Sequence, residues 1–197
     1  MSGEFKLGGL HHLALVSSDM ERTVDFYTNV LGMTLVKGFD LDRGYGQHFF
    51  FDMGGAGELA FFWFNDAPEA QRGVSAAGGL VGEGSITSAH GSMNHVAFAV
   101  SPDEIDDYRD RLVAKGVDCT PVVNHEDVVT GETRRTAGEI TGRTWLRSFY
   151  FRDPDGIMLE FCATLQAGLP ESDLPVNKDG IKANGQPITS MRIISQA

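Results

Sequence analysis

The sequence is poor in cysteine and in basic residues, and each scarcity excludes a class of protein. Only two cysteines, Cys119 and Cys162, occur in 197 residues, too few for a disulfide framework or a cysteine-ligated zinc site. We therefore expect reduced, buried thiols, as in a cytoplasmic protein. Sixteen Lys and Arg against 27 Asp and Glu give a net charge of −11, and no basic stripe is present that would bind nucleic acid.

Long hydrophobic runs are also lacking. The sequence has no stretch of about 18 apolar residues, which argues against a membrane-spanning helix and against a membrane as partner. Residues 1–9 form an N-terminal tail without the apolar segment of a signal peptide. Hydrophobic residues make up 42% of the chain, enough for a packed core in one domain or in two small fused modules.

The sequence does contain the same short unit twice. The first copy begins at His12 and the second at His95, and a serine follows each histidine six residues later. The serines, Ser18 and Ser101, each precede a glutamate by three residues, which is the pattern of a helix N-cap with a capping box. An internal repeat of this kind indicates two similar modules that pair, with the two imidazoles at equivalent positions.

Hydrophobic periodicity divides the chain further. Residues 10–65 and 92–165 each predict the order β-α-β-β-β, which makes the fold class α+β. Residues 66–91 are rich in Gly, Ala and Ser and are interpreted as a linker, long enough to form a lid or a dimer arm. Residues 124–142 are a polar insertion in the second module, predicted as an extended hairpin or loop. Residues 166–197 form a largely irregular C-terminal tail.

A third candidate ligand, Glu160, lies in the last predicted strand. A carboxylate in the apolar run Ile-Met-Leu-Glu-Phe-Cys is costly unless it is paired or bound to a metal; a salt-bridged glutamate at the rim is the alternative. Alignment of the two modules places Phe61 at the position equivalent to Glu160, so the first module supplies no carboxylate. The sequence thus predicts a metal site with three protein ligands, His12, His95 and Glu160, and with open coordination positions.

These features resemble the vicinal oxygen chelate superfamily, which includes glyoxalase I, extradiol dioxygenases, methylmalonyl-CoA epimerase and the fosfomycin and bleomycin resistance proteins. The resemblance covers about residues 10–164 and is carried by His12-Leu-Ala-Leu, Asp19-Met-Glu-Arg, Phe26-Tyr27 and Val30-Leu31-Gly32-Met33. It implies two βαβββ modules that form an eight-stranded, open, U-shaped barrel around one metal ion. It also implies a homodimer or a higher homo-oligomer.

The last strand is similar to the pattern of small type I extradiol ring-cleavage dioxygenases, in which a tyrosine precedes the glutamate ligand by ten residues. Tyr150 keeps this spacing to Glu160. The resemblance implies an Fe(II) enzyme, with Mn, Zn, Ni or Co as alternative metals, that cleaves a catechol-like substrate with dioxygen. Tyr150 would hydrogen-bond the bound substrate or oxygen.

The sequence departs from that pattern where a histidine is expected, because Arg143 stands there, and a second acid–base histidine expected near Phe61 is missing. Candidates for the acid–base role are His125, His90 and Arg143, the last of which could instead neutralise an anionic substrate. The predicted substrate pocket consists of Phe61, Phe50, Trp63, Trp145, Cys162 and His48.

Two other functions remain open at this stage. One is a glyoxalase-, epimerase- or isomerase-type enzyme that uses a divalent metal to stabilise an enediolate without dioxygen. The other is a non-enzymatic binding protein like the bleomycin resistance proteins, which the intact ligand set disfavours.

Overall fold

The computed structural model describes residues 8–55, 57–127 and 133–166. Two α-helices, α1 and α2, and nine strands, β1 to β9, follow in the order β1 His12–Val16, α1 Met20–Asp25, β2 Thr34–Asp40, β3 Gly46–Asp52, β4 Glu58–Phe64, β5 Val96–Ala99, α2 Ile105–Ala114, β6 Val123–Asp127, β7 Thr133–Thr136, β8 Thr144–Arg152 and β9 Met158–Thr164. A π-helical turn, Phe26–Val30, extends α1, and a 3₁₀ turn, Asp42–Gly44, precedes β3. No helix in this part of the chain is both long enough and apolar enough to cross a membrane.

The strands form two sheets, one for each predicted module. The first has the order β1-β4-β3-β2 and the second β5-β9-β8-β6-β7. In each sheet the first strand of the module runs parallel to the last, and the remaining pairs are antiparallel. This mixed α+β architecture confirms the predicted fold class, and the described strands form no closed barrel.

The prediction of eight strands is wrong by one. The insertion at residues 124–142 contributes to a hairpin, β6 and β7, which widens the second sheet. The strand predicted directly after the helix of the second module is reduced to one bridge, from Cys119 to Phe151. Only β7 is an edge strand, and the polar residues Asn124, His125 and Glu126 of β6 are buried between β7 and β8.

One hydrophobic core joins both modules. Strand residues alternate between faces, and the inward set of each sheet packs with residues of the helices. The fully buried members include Tyr27, Leu59 and Phe61 from the first module and Ile105, Phe149, Phe151 and Leu159 from the second. The outward set of each sheet is left to form a second surface, on which the candidate site residues lie.

The helix ends follow the sequence signals with one shift. Asp19, rather than Ser18, is the N-cap of α1, and its side chain accepts a hydrogen bond from Arg22 N–H. Ser101 accepts from the N–H of Asp103 before α2 begins. A glycine with a positive φ follows each helical segment, +76° at Gly32 and +84° at Gly116, the conformation that ends helices.

The turn between β8 and β9 holds the two modules together. The Asp153 carboxylate accepts hydrogen bonds from the backbone N–H of Asp155 and Ile157 and, at 3.3 Å, from the Tyr27 hydroxyl of the first module. Asp155 pairs with Arg22 at 2.9 Å and is also hydrogen-bonded by Ser18. Burial, followed by the charge of Asp155, raises the pKa of Asp153 to about 6 despite the two backbone hydrogen bonds.

This raised pKa predicts a specific pH dependence of stability. Because the pKa of Asp153 is higher in the folded than in the unfolded chain, its contribution is fully present below pH 3.8 and is lost as the pH rises through about 6. Asp153→Asn keeps the oxygen acceptor and removes the charge. The stability of the variant relative to the original protein should therefore increase by about 3 kcal/mol between pH 4 and pH 7.5.

Urea unfolding at both pH values measures this difference, and a carboxyl-carbon NMR titration of Asp153 should have its midpoint near pH 6. A stability difference that stays constant over the range would contradict the assignment.

Candidate metal centre

Two of the three predicted ligands meet at one edge of the second sheet. Nε2 of His95, just before β5, lies 3.0 Å from Oε2 of Glu160 on β9. The His95 side chain is 36% exposed and the Glu160 side chain only 6%. A buried carboxylate beside an imidazole that faces solvent is a donor set that divalent transition metals accept.

Strands β8 and β6 add polar groups to the surface on which Glu160 lies. We call this surface the Glu160 face; its residues are Ser148 and Tyr150 of β8, Glu160 of β9 and His125 of β6. Tyr150 lies directly opposite Glu160 in the register of β8 and β9. The ten-residue spacing in the sequence is thus the span of a hairpin that returns to the same position. Ser148 lies 2.9 Å from Nε2 of His125 and 3.4 Å from the Tyr150 hydroxyl.

Burial and hydrogen bonding set the protonation of the Glu160 face. Burial raises the pKa of Glu160, but hydrogen bonds from His95, Ser148 and Tyr150 outweigh it and leave the pKa below its usual value. Burial, with an opposing hydrogen bond from Ser148, raises the pKa of Tyr150 well above its usual value. Burial and then the charge of Arg135 lower the pKa of His125 to about 4. At neutral pH the face therefore has a carboxylate, a protonated phenol and a neutral imidazole.

His12 does not join this group. Within the described residues, no cluster of three His, Cys, Asp or Glu side chains is close enough to hold a metal ion. His12 is exposed on the outward surface of the first sheet, which we call the His12 face; its Nδ1 lies 2.8 Å from Nδ1 of His11. Its ring packs edge-on against Phe50, with centroids 5.6 Å apart.

The strand register corrects one predicted equivalence. His12 pairs with Glu58 and Ala14 with Ala60 in the first sheet, as Ala97 pairs with Glu160 in the second. Ala60, not Phe61, is therefore the counterpart of Glu160. Phe61 is fully buried in the core and does not line a pocket. The first module still supplies no carboxylate at this position.

The other predicted pocket residues separate into different environments. Phe50 packs against His12, and His48 lies beyond Phe50, stacked on Phe62 at 3.6 Å and buried. Trp63 packs against the core and lines a separate surface pocket with residues of α1 and with Gln47. Trp145 lies against His125, with ring centroids 6.1 Å apart.

The acid–base candidates separate in the same way. Only His125 reaches the Glu160 face, through Ser148. His90 and Arg143 are exposed, on the linker and on the turn before β8. Neither side chain is hydrogen-bonded to the described residues of the Glu160 face.

Three residues of the site escaped the sequence analysis. Ser148 could have been found, because it lies two residues before Tyr150 and so shares its face. Arg135 lies opposite His125 in the β6–β7 pair, a contact that depends on the register of the hairpin, which the sequence did not predict. Asn94 is hydrogen-bonded to His95 at 2.9 Å, and nothing in the repeat distinguished it.

Cys162 lies two residues beyond Glu160 on β9, and its protonation can be tested directly. Burial, followed by the negative charge of Glu160, raises the pKa of its thiol to about 11. Burial also raises the pKa of Cys119 to about 11, partly offset by Arg109. Because the thiolate is the reactive form, both cysteines should react with Ellman's reagent at pH 8 about 100-fold more slowly than a free thiol.

Unfolding in guanidinium should restore the normal rate for both cysteines, and single Cys→Ala variants assign each phase. Fast labelling of Cys162 in the folded protein would show instead a reactive thiol beside the Glu160 carboxylate.

Comparisons with known proteins identify the family of the chain. A family model described as the Glyoxalase/Bleomycin resistance protein/Dioxygenase superfamily matches residues 9–161. The uncharacterized protein YwkD of Bacillus subtilis is 26% identical over 154 residues, which cover 78% of this chain and 95% of that protein. The metallothiol transferase FosB of Lysinibacillus sphaericus is 30% identical over 159 residues, which cover 80% of this chain and 84% of that protein.

Solved structures show the same fold. A glyoxalase family protein from Enterococcus faecalis superposes with a TM-score of 0.54 at 21% identity, covering 79% of this chain and 97% of its own. The fosfomycin resistance protein FosX of Listeria monocytogenes, complexed with Mn(II) and sulfate, has a TM-score of 0.50 at 19% identity and covers 81% of this chain and 95% of its own. The chain belongs to the glyoxalase/bleomycin resistance protein/dioxygenase superfamily, the vicinal oxygen chelate superfamily that its sequence resembles.

Proposed function

We propose that the protein is a divalent-metal enzyme whose metal site is completed between two copies of the chain. His95 and Glu160 of one copy would bind the ion together with His12 of the other. The observation that carries the proposal is the 3.0 Å pair of His95 and Glu160, which has Tyr150 beside it. Among the described residues, no third His, Cys, Asp or Glu side chain is close enough to complete a metal site with this pair.

Both half-sites are open to such a partner. Ala14 is exposed beside His12, and Ala97 and Ala99 are exposed beside His95, so small side chains surround each imidazole. The first sheet also exposes apolar residues, with Val16 48% and Phe39 41% accessible. Exposed apolar surface of this kind favours association, because pairing removes it from water.

Mn(II) and Fe(II) are the metals that the comparisons and the sequence respectively support. The relative FosX binds Mn(II), and the extradiol resemblance implied Fe(II). Two imidazoles and one carboxylate accept either ion. When bound, such an ion would act as a Lewis acid on an oxygen atom of the substrate.

The chain's own residues would then bind the substrate and move protons. Tyr150 stays protonated and can donate a hydrogen bond to a substrate oxygen next to Glu160. His125 stays neutral and can accept a proton through the Ser148 hydroxyl. Arg135 lies opposite His125, and its positive charge would attract an anionic group of the substrate.

The substrate class that these groups support best is a small anionic molecule with metal-binding oxygens, attacked by a nucleophile without net oxidation. FosB is named a metallothiol transferase and FosX a fosfomycin resistance protein. We infer a similar step, in which a thiol or water attacks a carbon of a strained carbon–oxygen ring in a phosphonate or carboxylate substrate. The carbon–oxygen bond breaks, and its oxygen takes up the proton that the nucleophile loses. Because burial raises the pKa of Cys162, the nucleophile would come from outside the chain.

Extradiol dioxygenase activity is the second candidate. It is favoured by Tyr150, which faces Glu160 at the spacing of that pattern, and by His125, which supplies an acid–base group on the same face. The two candidates differ in whether dioxygen is consumed, so one pair of assays separates them.

A subunit-mixing experiment tests the shared metal site. His12→Ala and His95→Ala should each lose Mn(II) binding alone. Refolded together, they should regain about one quarter of the original sites, because half of the random dimers are mixed and each mixed dimer has one intact site.

The matched control mixes His95→Ala with Glu160→Ala, two changes on the same half-site, and should regain nothing. Equal recovery in both mixtures, or full metal binding by a monomer, would refute a site shared between copies.

The activity test uses the Mn(II)-loaded and Fe(II)-loaded protein. Under nitrogen, fosfomycin with cysteine, glutathione or water alone should give a new phosphorus NMR signal. Tyr150→Phe should reduce its rate of appearance by about 100-fold, because a hydrogen bond to the reacting oxygen is lost.

Catechols under air, followed by oxygen uptake, test the second candidate. Uptake that depends on Glu160, with no anaerobic turnover of fosfomycin, would replace the first candidate with the dioxygenase.

A further inference from the structure

We infer that Asn94 is a positioning residue that fixes the tautomer of His95 and thereby couples the metal ligand to the linker, residues 66–91. The inference rests on the proposed metal function and concerns a residue beside the ligand, not the ligand itself. It assigns the linker, predicted as a connection long enough to form a lid or a dimer arm, a place beside the metal site.

The Asn94 amide has a defined orientation. Its nitrogen donates a hydrogen bond to the carbonyl of Ile86 at 2.6 Å and a longer one to the Ser88 hydroxyl at 3.3 Å. Both partners belong to the linker. With the nitrogen so engaged, the amide oxygen is the atom that faces Nδ1 of His95, at 2.9 Å.

This orientation prepares Nε2 of His95 for a metal ion. An amide oxygen only accepts hydrogen bonds, so Nδ1 donates to Asn94. Nε2 faces Oε2 of Glu160 at 3.0 Å and donates its own hydrogen to that carboxylate when no metal is bound. A metal ion would replace this hydrogen, and the Nδ1–H bond to Asn94 would hold the ring in the tautomer that binds metal through Nε2. Partners of this kind orient metal-binding histidines in many sites.

The linker reaches the same face at a second point. Ala77 and Leu80 are buried against Tyr150 and Met158 in a small hydrophobic cluster. Within the linker, the Gly78 N–H donates to the Thr87 carbonyl and so joins this cluster to the segment that holds Asn94. The linker is therefore fixed to the Glu160 face both by apolar packing and by the Asn94 amide.

Such an arrangement makes metal binding and linker order mutually dependent. If an ordered linker holds His95 in the tautomer that binds metal, bound metal must stabilise the ordered linker by the same free energy. The linker would thus be most ordered when the metal is bound, which is also when a bound substrate needs shielding from water.

Two variants separate the two roles of Asn94. Asn94→Ala removes both the acceptor for His95 and the donor to Ile86, and should weaken Mn(II) binding, measured calorimetrically on the full chain, by about 10- to 100-fold. Asn94→Asp keeps an oxygen acceptor for Nδ1 and removes the donor. It should retain Mn(II) affinity within about threefold, while trypsin or thermolysin cleaves the linker faster in both variants.

Asn65→Ala is the matched control. Its amide likewise donates to a backbone carbonyl, that of Gly44, but on a turn of the first module. It should change neither Mn(II) affinity nor cleavage of the linker.

A readout on the unaltered protein guards against a variant that misfolds. With diamagnetic Zn(II) bound, long-range proton–nitrogen NMR correlations should show the His95 ring proton on Nδ1. A ring proton on Nε2 in that state, or unchanged Mn(II) affinity in Asn94→Ala, would overturn the inference. The proposed function fails separately, if His95→Ala binds Mn(II) as the original protein does.

Discussion

The buried carboxylate of Glu160 is the constraint around which the second module is organised. Its side chain is only 6% exposed, and a charged group in that position must be compensated. His95, Tyr150 and Ser148 provide the hydrogen bonds that keep its pKa low. These partners lie on β8 and just before β5. The negative charge of Glu160 is therefore tolerated only when β5, β9 and β8 pair in this register.

The first module repeats the fold without this constraint, and its surface differs accordingly. Ala60 occupies the position of Glu160, and the row beside His12 consists of Phe50, His48 and Phe62. One face therefore has a carboxylate and its donors, and the other an imidazole on an apolar, aromatic background. The two faces complement each other chemically, which is the physical reason for expecting them to meet across two chains.

Residue spacing alone was enough to predict much of this structure. The repeated histidine and the capping pattern identified the modules, and the resemblance to extradiol dioxygenases paired Tyr150 with Glu160 by their spacing. Residue spacing failed where register or distant contacts decide. A shift of one residue in the assumed alignment moved Phe61 from the core to the site, because neighbouring strand residues point in opposite directions. Asn94 and Arg135 act through partners that local sequence does not reveal, and the placement of His12 away from Glu160 depends on how whole modules pack.

Two buried groups with opposite pKa shifts, His125 and Asp153, together explain how a neutral imidazole persists at mildly acidic pH. The pKa of His125 is lowered to about 4, so its contribution to stability is present above pH 6.5 and is lost as the pH falls through about 4. The contribution of Asp153 has the opposite sign in the same range, since its pKa is raised to about 6. Protonation at the inter-module turn therefore offsets the cost of keeping the imidazole uncharged. His125 can remain a proton acceptor down to mildly acidic pH while the folded state loses little stability, and the turn that joins the modules contributes to that range without touching the site.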